Sequence, residues 1–434
     1  MIIQYLKKYK GFLSEIGWIV AGKGLSFAGM LLLVGVLTKS LTISEYAIFT
    51  LGLTFCNLAN QVIMGSISQG MGRYFSIALE SGGYYSFKNA AVKITGLASA
   101  SLFLIGILSA VFFFFQGQFN LVNLVFALIT LSLINGLNDI FNSMQNLARN
   151  RMHVAITGIL DAWLKVLLVG VVLNYVTASA TEVILCYIAT SVLILLIQID
   201  KWKKFHKSLA YDDEPILNWE KGIWKFSLPA AIWGIFVWFQ QASDKWALQF
   251  FSNTNDVAQY SVIYQIGYTP LIIGIGLLVT MCTPILYRKS KLNDDGSLDT
   301  QDHKIVFFLG LLIFIVTTAA FMLLWFFNAQ IMRVVTAPAY YISGPYLPWM
   351  ALGAGLFAFA DVLYIKMMGE IRVKEILGVK ILASSIGVAY NSLGAYFFGL
   401  WGVVAANVLF GITYFVIIYG ASSKTFSHQI FLDK

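Results

Sequence analysis

The sequence predicts an all-α polytopic membrane protein of about twelve transmembrane helices. Three observations lead there. Of 434 residues, 59% are apolar and 12% are charged. Apolar runs longer than the ~18 residues that mark a membrane span recur along the chain. Basic residues are concentrated in alternate connections, the pattern that orients helices in a bilayer.

Spans are expected near 16–38, 46–68, 91–115, 120–143, 154–174, 179–199, 222–251, 257–282, 305–327, 347–367, 376–397 and 400–420. The first follows the basic opening MIIQYLKKYK and runs past the length of a signal-peptide core without an A-x-A-like end, so it reads as a retained helix. With the N-terminus, every second connection and the C-terminus inside, 24 Lys and Arg lie on the cytoplasmic side and only Lys39 and Arg333 outside. That asymmetry places both termini in the cytoplasm and requires an even number of spans. The net charge of +8 is then a topology signal and not a nucleic-acid-binding one.

The longest charged connection separates six spans from six. It gives an N-terminal bundle at 1–199, a cytoplasmic linker at 200–221 and a C-terminal bundle at 222–434. A shift of 211 positions lays Leu37 on Leu248, Glu45 on Asp256, Ala47 on Ala258 and Phe49 on Tyr260. The halves run in the same direction, and the expected architecture is two parallel-repeat six-helix bundles around a central cavity.

Soluble-enzyme chemistry finds little support. GWIVAGKGLS, residues 17–26, is one residue from a phosphate-binding loop, but Gly24 stands where a metal-binding hydroxyl belongs and the segment lies inside an apolar run from Ile16 to Leu37. Lys23 is therefore an intramembrane lysine. Cys56, Cys186 and Cys282 form no C-x-x-C pair, and the four histidines lack metal-ligand spacing. No nucleophile or dinucleotide motif occurs, so no catalytic residue, cofactor or metal is expected.

Charged side chains within a bilayer cost about 2.5–3.5 kcal/mol each on insertion scales, so each needs a partner, water or a role. Lys23 lies about 10 Å past the cytoplasmic start of span 1, where it either snorkels back or faces a cavity. Asp161 and Lys165, one turn apart in span 5, form a self-neutralising pair that is either structural or part of a site. Asp361 in span 10 has no opposite charge one turn away, which makes it a candidate proton or ion site. Asp244 and Lys245 fall near the outer end of span 7, where an interfacial pair and a cavity role both fit.

Span 4 gathers Asn135, Asn138, Asp139, Asn142, Gln145, Asn146 and Arg149 on one helical side, a face expected to line a hydrated vestibule. Arg73 ends a smaller polar face in span 2, and Trp233 and Gln240 share a face of span 7 beyond Pro229. Flat rings and amides suit sugars, although aromatic belts also use Trp.

Several stretches carry a family resemblance. LTKSLTISEYAIFTLGL (37–53) with SQGMGRYFS (68–76) resembles the first two spans of bacterial O-antigen-type polysaccharide repeat-unit flippases, within the multidrug/oligosaccharidyl-lipid/polysaccharide exporter superfamily. NLARNRMHVAITGILDAWLK (146–165) is similar to that family's connection from span 4 to span 5. LPAAIWGIFVWFQQASDKWALQFF (228–251), DVAQYSVIYQIGYTPL (256–271) and TPILYRKS (283–290) resemble its seventh and eighth spans. Ala47 and Ala258 depart from the pattern, where the family is expected to use Gly.

The resemblance implies a transporter and not an enzyme. Its substrate would be a polyprenyl-diphosphate-linked oligosaccharide, carried by alternating access from the cytoplasmic to the periplasmic leaflet of the bacterial inner membrane. The implied partners are the bilayer, a polysaccharide polymerase and a chain-length regulator, with no nucleic acid. For such a substrate the expected binding residues are Lys23, Arg73, Asn135, Asn142, Arg149, Lys165, Trp233 and Gln240. Asp161, Asp244, Lys245 and Asp361 are the expected coupling-ion or charge-pair residues, with a proton gradient, sodium gradient or membrane potential as the drive. The alternative is a cation-coupled multidrug exporter of the same superfamily. That reading needs acidic groups in its cavity; Lys23 argues against it, and Asp161 and Asp361 leave it open.

Overall fold

The computed structural model describes residues 2–176, 178–207, 218–289, 300–369 and 373–423. Part of the 200–221 linker lies outside the described residues. Within them the chain is helical, with no strand: α1 (Ile2–Ser40), α2 (Ile43–Ala59), α3 (Gly65–Glu80), α4 (Tyr84–Phe115), α5 (Phe119–Leu147), α6 (Arg151–Tyr175), α7 (Ala180–Lys207), α8 (Trp219–Phe251), α9 (Thr254–Ile263), α10 (Thr269–Lys289), α11 (Thr300–Val335), α12 (Leu347–Gly369) and α13 (Val373–Ser423). π-helical turns at Asn60–Met64 and Tyr264–Tyr268 fuse α2 to α3 and α9 to α10.

Among the described residues, eleven helical stretches are long and apolar enough to cross a membrane. The last of them covers two expected spans. A straight helix of 51 residues would run on the order of 75 Å, more than twice a ~30 Å hydrocarbon core. Gly399 breaks α13 with φ 56° and ψ −134°, a conformation open to glycine because it lacks a Cβ. Gly394 and Gly402 then back onto each other so closely that a methyl on either would strike the other's backbone. α13 is thus a hairpin, and its two arms are the spans expected at 376–397 and 400–420.

Large apolar side chains cover the outside of the helices. On α4 these include Phe103, Leu108, Phe112 and Phe115. In water such a surface would aggregate; in a bilayer it is the solvent-facing side.

The chain forms two compact units, Met1–Ala242 and Ser243–Lys434. Their boundary falls inside α8, downstream of the linker seen in the sequence. The larger part of α8 stays with the first unit through polar ties: Trp219 Nε1 donates to Ser86 Oγ at 2.8 Å, Trp238 Nε1 to the Thr54 carbonyl at 2.7 Å and Gln61 Nε2 to Gln241 Oε1 at 2.8 Å. In the same unit α1 lies against α6 through small residues. A Cβ on Gly22 would come within 2.7 Å of Ala155 Cβ, and one on Gly29 within 3.2 Å of Ala162 Cβ. Without a hydrophobic drive between helices in lipid, such close backbone packing supplies the attraction.

The internal repeat is visible in the caps. Thr42 Oγ1 accepts the Glu45 N–H at 3.2 Å, and Asn253 Oδ1 accepts the Asp256 N–H at 2.9 Å. Each satisfies an orphan donor at a helix start. Both acids go on to meet a later helix of their own unit: Glu45 Oε2 accepts the Ala180 N–H at 2.7 Å, opening α7, and Asp256 approaches Gly399 in α13.

Candidate functional site

In the first unit, α5, α6 and α7 bring together Asp139, Asp161, Lys165 and Tyr187. Asp161 Oδ2 accepts from Lys165 Nζ at 2.6 Å, the one-turn pair expected from the spacing. The ammonium also stands 4.8 Å from the centre of the Tyr187 ring, a cation–π arrangement. Phe49 meets that ring edge-on at 5.4 Å. Asp139 is exposed and lies within electrostatic range of both members of the pair.

The amide face of α5 meets protein, which corrects the expectation that it lines a hydrated vestibule. Ser191 Oγ donates to Asn135 Oδ1 at 2.8 Å and Asn138 Nδ2 to the Ser191 carbonyl at 2.9 Å. Gln198 Nε2 donates to Asn142 Oδ1 at 3.2 Å. Nearer the turn, Asn150 Nδ2 donates to Gln145 Oε1 at 2.7 Å and Arg151 Nη1 to Asn146 Oδ1 at 2.5 Å. These amides zip α5 to α7 and fix the turn into α6. Asp139, beside that seam, remains open.

Three expected cations stand apart from carboxylates. Lys23 is exposed on α1 and makes no hydrogen bond or ion pair among the described residues. Arg73 is exposed on α3 with its guanidinium 5.4 Å from the Phe226 ring centre. Arg149 is exposed in the turn from α5 to α6 with φ 59°. There the Asn150 N–H bonds back to the Gln145 carbonyl at 2.9 Å, closing a Schellman-type cap whose left-handed position ordinarily holds Gly. Trp233 and Gln240 are half-buried in α8, and neither makes a hydrogen bond among the described residues.

The second unit holds a longer polar chain. Asp244 and Lys245 are 4% and 9% exposed, so protein encloses both side chains. Tyr260 Oη donates to Asp244 Oδ2 at 2.7 Å, and Asn407 Nδ2 donates to Tyr260 Oη at 2.9 Å. Lys245 Nζ lies 4.0 Å from Asp244 Oδ1 and 4.3 Å from the Tyr264 ring centre.

Along the π-helical turn, Tyr264 and Tyr268 stack at 4.7 Å with an interplanar angle of 18°. Tyr268 is within electrostatic range of both Asp244 and Asp361. Asp361 has found the partner its sequence neighbours lack: Lys380 Nζ donates to its Oδ1 at 3.3 Å and Tyr414 Oη to the same oxygen at 3.0 Å. Lys380 is boxed by rings, 4.5 Å from Tyr414, 4.9 Å from Tyr364 and 5.4 Å from Phe357.

Lys380 is the residue that sequence reasoning misses. The count of basic residues by connection puts it on the cytoplasmic side, yet it lies in α13 and is 9% exposed. Its position within an otherwise apolar run is the available signal. Tyr187, Tyr260, Asn407 and Tyr414 are missed as well, since nothing in their local sequence separates them from packing residues.

This fold is shared with solved transporters. The lipid II flippase MurJ, in an inward closed conformation, superposes with a TM-score of 0.71 at 13% identity, over 94% of this chain and 87% of that one. A MOP superfamily transporter from Pyrococcus furiosus gives 0.65 at 13% identity, over 94% and 96%. The chain has the fold of the MOP superfamily transporters. A MATE transporter of Vibrio cholerae, solved as a point mutant, gives 0.65 at 13% identity over 95% and 96%. No family model matches the chain, and no curated protein matches it. Among the described residues no group of three or more His, Cys, Asp or Glu could hold a metal ion.

Proposed function

We propose that the chain flips a polyprenyl-diphosphate-linked oligosaccharide, an O-antigen or other surface-polysaccharide repeat unit, from the cytoplasmic to the periplasmic leaflet of a bacterial inner membrane. One contrast carries this reading. The deep carboxylates Asp161, Asp244 and Asp361 each hold a lysine at 4.0 Å or less, whereas Lys23, Arg73 and Arg149 hold no carboxylate among the described residues. Cations left without counter-charges suit an anionic diphosphate better than a cationic drug. A solved lipid II flippase has this fold, which supports the flippase reading.

In this reading Lys23, Arg73 and Arg149 take the diphosphate. Trp233 and Gln240 face the sugars, and Lys165 exchanges Asp161 for the head group. Asp161, Asp244 with Lys245, and Asp361 couple alternating access to a proton gradient, a sodium gradient or the membrane potential. A unit charge crossing the membrane is worth about 2.3 kcal/mol per 100 mV, enough to bias such a switch. Both termini face the cytoplasm, and a polymerase and a chain-length regulator receive the product.

Asp139 favours a second reading. It is an exposed carboxylate without a hydrogen-bonded lysine, the kind of group a cation-coupled multidrug exporter presents to its substrate. One experiment separates the two: leaflet access of a labelled polyprenyl-diphosphate oligosaccharide in proteoliposomes, under imposed pH, sodium and voltage gradients, beside cation efflux from the same vesicles. Protein-dependent crossing of the glycolipid supports the flippase. Cation efflux without glycolipid crossing supports the exporter.

A further inference from the structure

A cavity of about 430 Å³ opens at one end of the second unit, lined by Trp325, Asn328, Pro345, Tyr346, Pro348, Trp349 and Trp401. It takes no part in the clusters above. Its volume falls at the small end of the about 300–1,000 Å³ typical of small-molecule sites. Its rings come from α11, the 3-10 segment Pro338–Tyr346, α12 and α13. Trp349 stands between two nearly perpendicular indoles, 6.5 Å and 74° from Trp325 and 5.9 Å and 78° from Trp401. Tyr346 stacks on Trp401 at 5.7 Å. Phe321 stacks on Trp325 at 5.7 Å, so each outer indole has one face covered; Trp325 and Trp401 nonetheless remain 50% and 41% exposed.

We propose that this pocket binds an uncharged pyranose ring. The axial C–H bonds of such a ring form an apolar face that packs on an indole, while its hydroxyls need donors and acceptors at the edge. Asn328 supplies them: its Nδ2 donates to the Trp325 carbonyl at 2.9 Å, leaving the side-chain carbonyl and the second N–H for a ligand. No Lys, Arg, Asp or Glu lines the cavity, which disfavours a phosphate or an ammonium group. An interfacial aromatic belt needs only single rings directed at the headgroups. Here rings from four elements close on one space. Two prolines stiffen it, and the break at Gly399 brings Trp401 into place. The site rests on the flippase reading only for the source of its sugar, which would be a residue of the carried glycan.

The test is saturation-transfer difference NMR on the full chain in nanodiscs, with the methyl glycosides of glucose, galactose, rhamnose and N-acetylglucosamine as probes. At least one should receive saturation at its ring protons. Trp401→Leu, which keeps apolar bulk, should weaken binding about tenfold, the worth of one stacking contact, and Trp401→Phe should restore most of it. Trp325→Leu, at a half-exposed position, gives an independent second loss. No saturation of any of the four glycosides, or unchanged binding in both leucine variants, overturns the assignment. Glycolipid flipping is scored separately: flipping without glycoside binding overturns the pocket alone, and binding without flipping overturns the flippase reading alone.

Discussion

Lys380 Nζ lies 3.3 Å from Asp361 Oδ1, joining α12 to α13 across nineteen residues of sequence. The Lys380 side chain is 11% exposed and that of Asp361 33%, so the pair is enclosed on the lysine side and more open on the other. Removing one partner of a fully buried pair costs about 3–5 kcal/mol; with one side open, Lys380→Met should cost about 1–3 kcal/mol. Thermal unfolding of Lys380→Met, Asp361→Asn and the double variant forms a cycle. A coupling energy below about 0.5 kcal/mol would show that the two charges stand independently.

Tyr260 holds Asp244 and Asn407 together with one hydroxyl. Tyr260→Phe keeps the ring and removes both bonds, leaving a carboxylate that is 4% exposed with a donor missing. A loss of about 1–3 kcal/mol is expected from the unsatisfied groups. Unfolding of Tyr260→Phe in nanodiscs checks this, and Asp244→Asn in the same background should recover part of the loss.

The membrane spans were legible because they are written in gross features: apolar length and a parallel repeat. The paired caps at Thr42 and Asn253 match the 211-residue shift that the sequence suggested. Asp161 with Lys165 was legible too, since one turn of helix fixes their approach. Pairings between helices were not. Asp361 with Lys380, and Asn142 with Gln198, depend on packing that leaves no local trace in the sequence. The α5 amides were misread for the same reason: a row of Asn and Gln announces that a helix face needs partners, but not whether water or α7 provides them.

The contact of α1 with α6 gives a position-specific test. Gly22 faces Ala155, while Gly17 and Gly24 on the same helix have nothing within 4 Å of an added Cβ. Gly22→Leu overpacks the seam and should cost about 1–3 kcal/mol. Gly17→Leu and Gly24→Leu should stay within about 0.5 kcal/mol of the parent. Equal losses at all three positions would mean that the glycines matter for some reason other than this seam.

Arg149 occupies a left-handed cap position at φ 59°, where a side chain is strained by about 1–2 kcal/mol relative to glycine. Arg149→Gly should therefore raise stability by about 1 kcal/mol. If the guanidinium binds the diphosphate, the same change should lower glycolipid flipping severalfold, so stability and activity move in opposite directions. A stabilised variant with unchanged flipping would remove Arg149 from the binding set.

Lys23 decides whether the free cations act on the substrate or only orient the helix. It has no carboxylate to satisfy among the described residues, so Lys23→Ala breaks no ion pair and should leave the unfolding midpoint within the range of a surface change. An anchoring role would be met by any residue that tolerates the headgroup region, and Lys23→Gln would then flip the glycolipid at the parental rate. A role in gripping diphosphate requires the charge. Lys23→Arg should then retain most of the flipping, while Lys23→Ala and Lys23→Gln both lose about tenfold or more, the scale of one charge-assisted hydrogen bond. Measured side by side in proteoliposomes, equal rates for the three variants would assign Lys23 to anchoring and withdraw the strongest support for an anionic substrate.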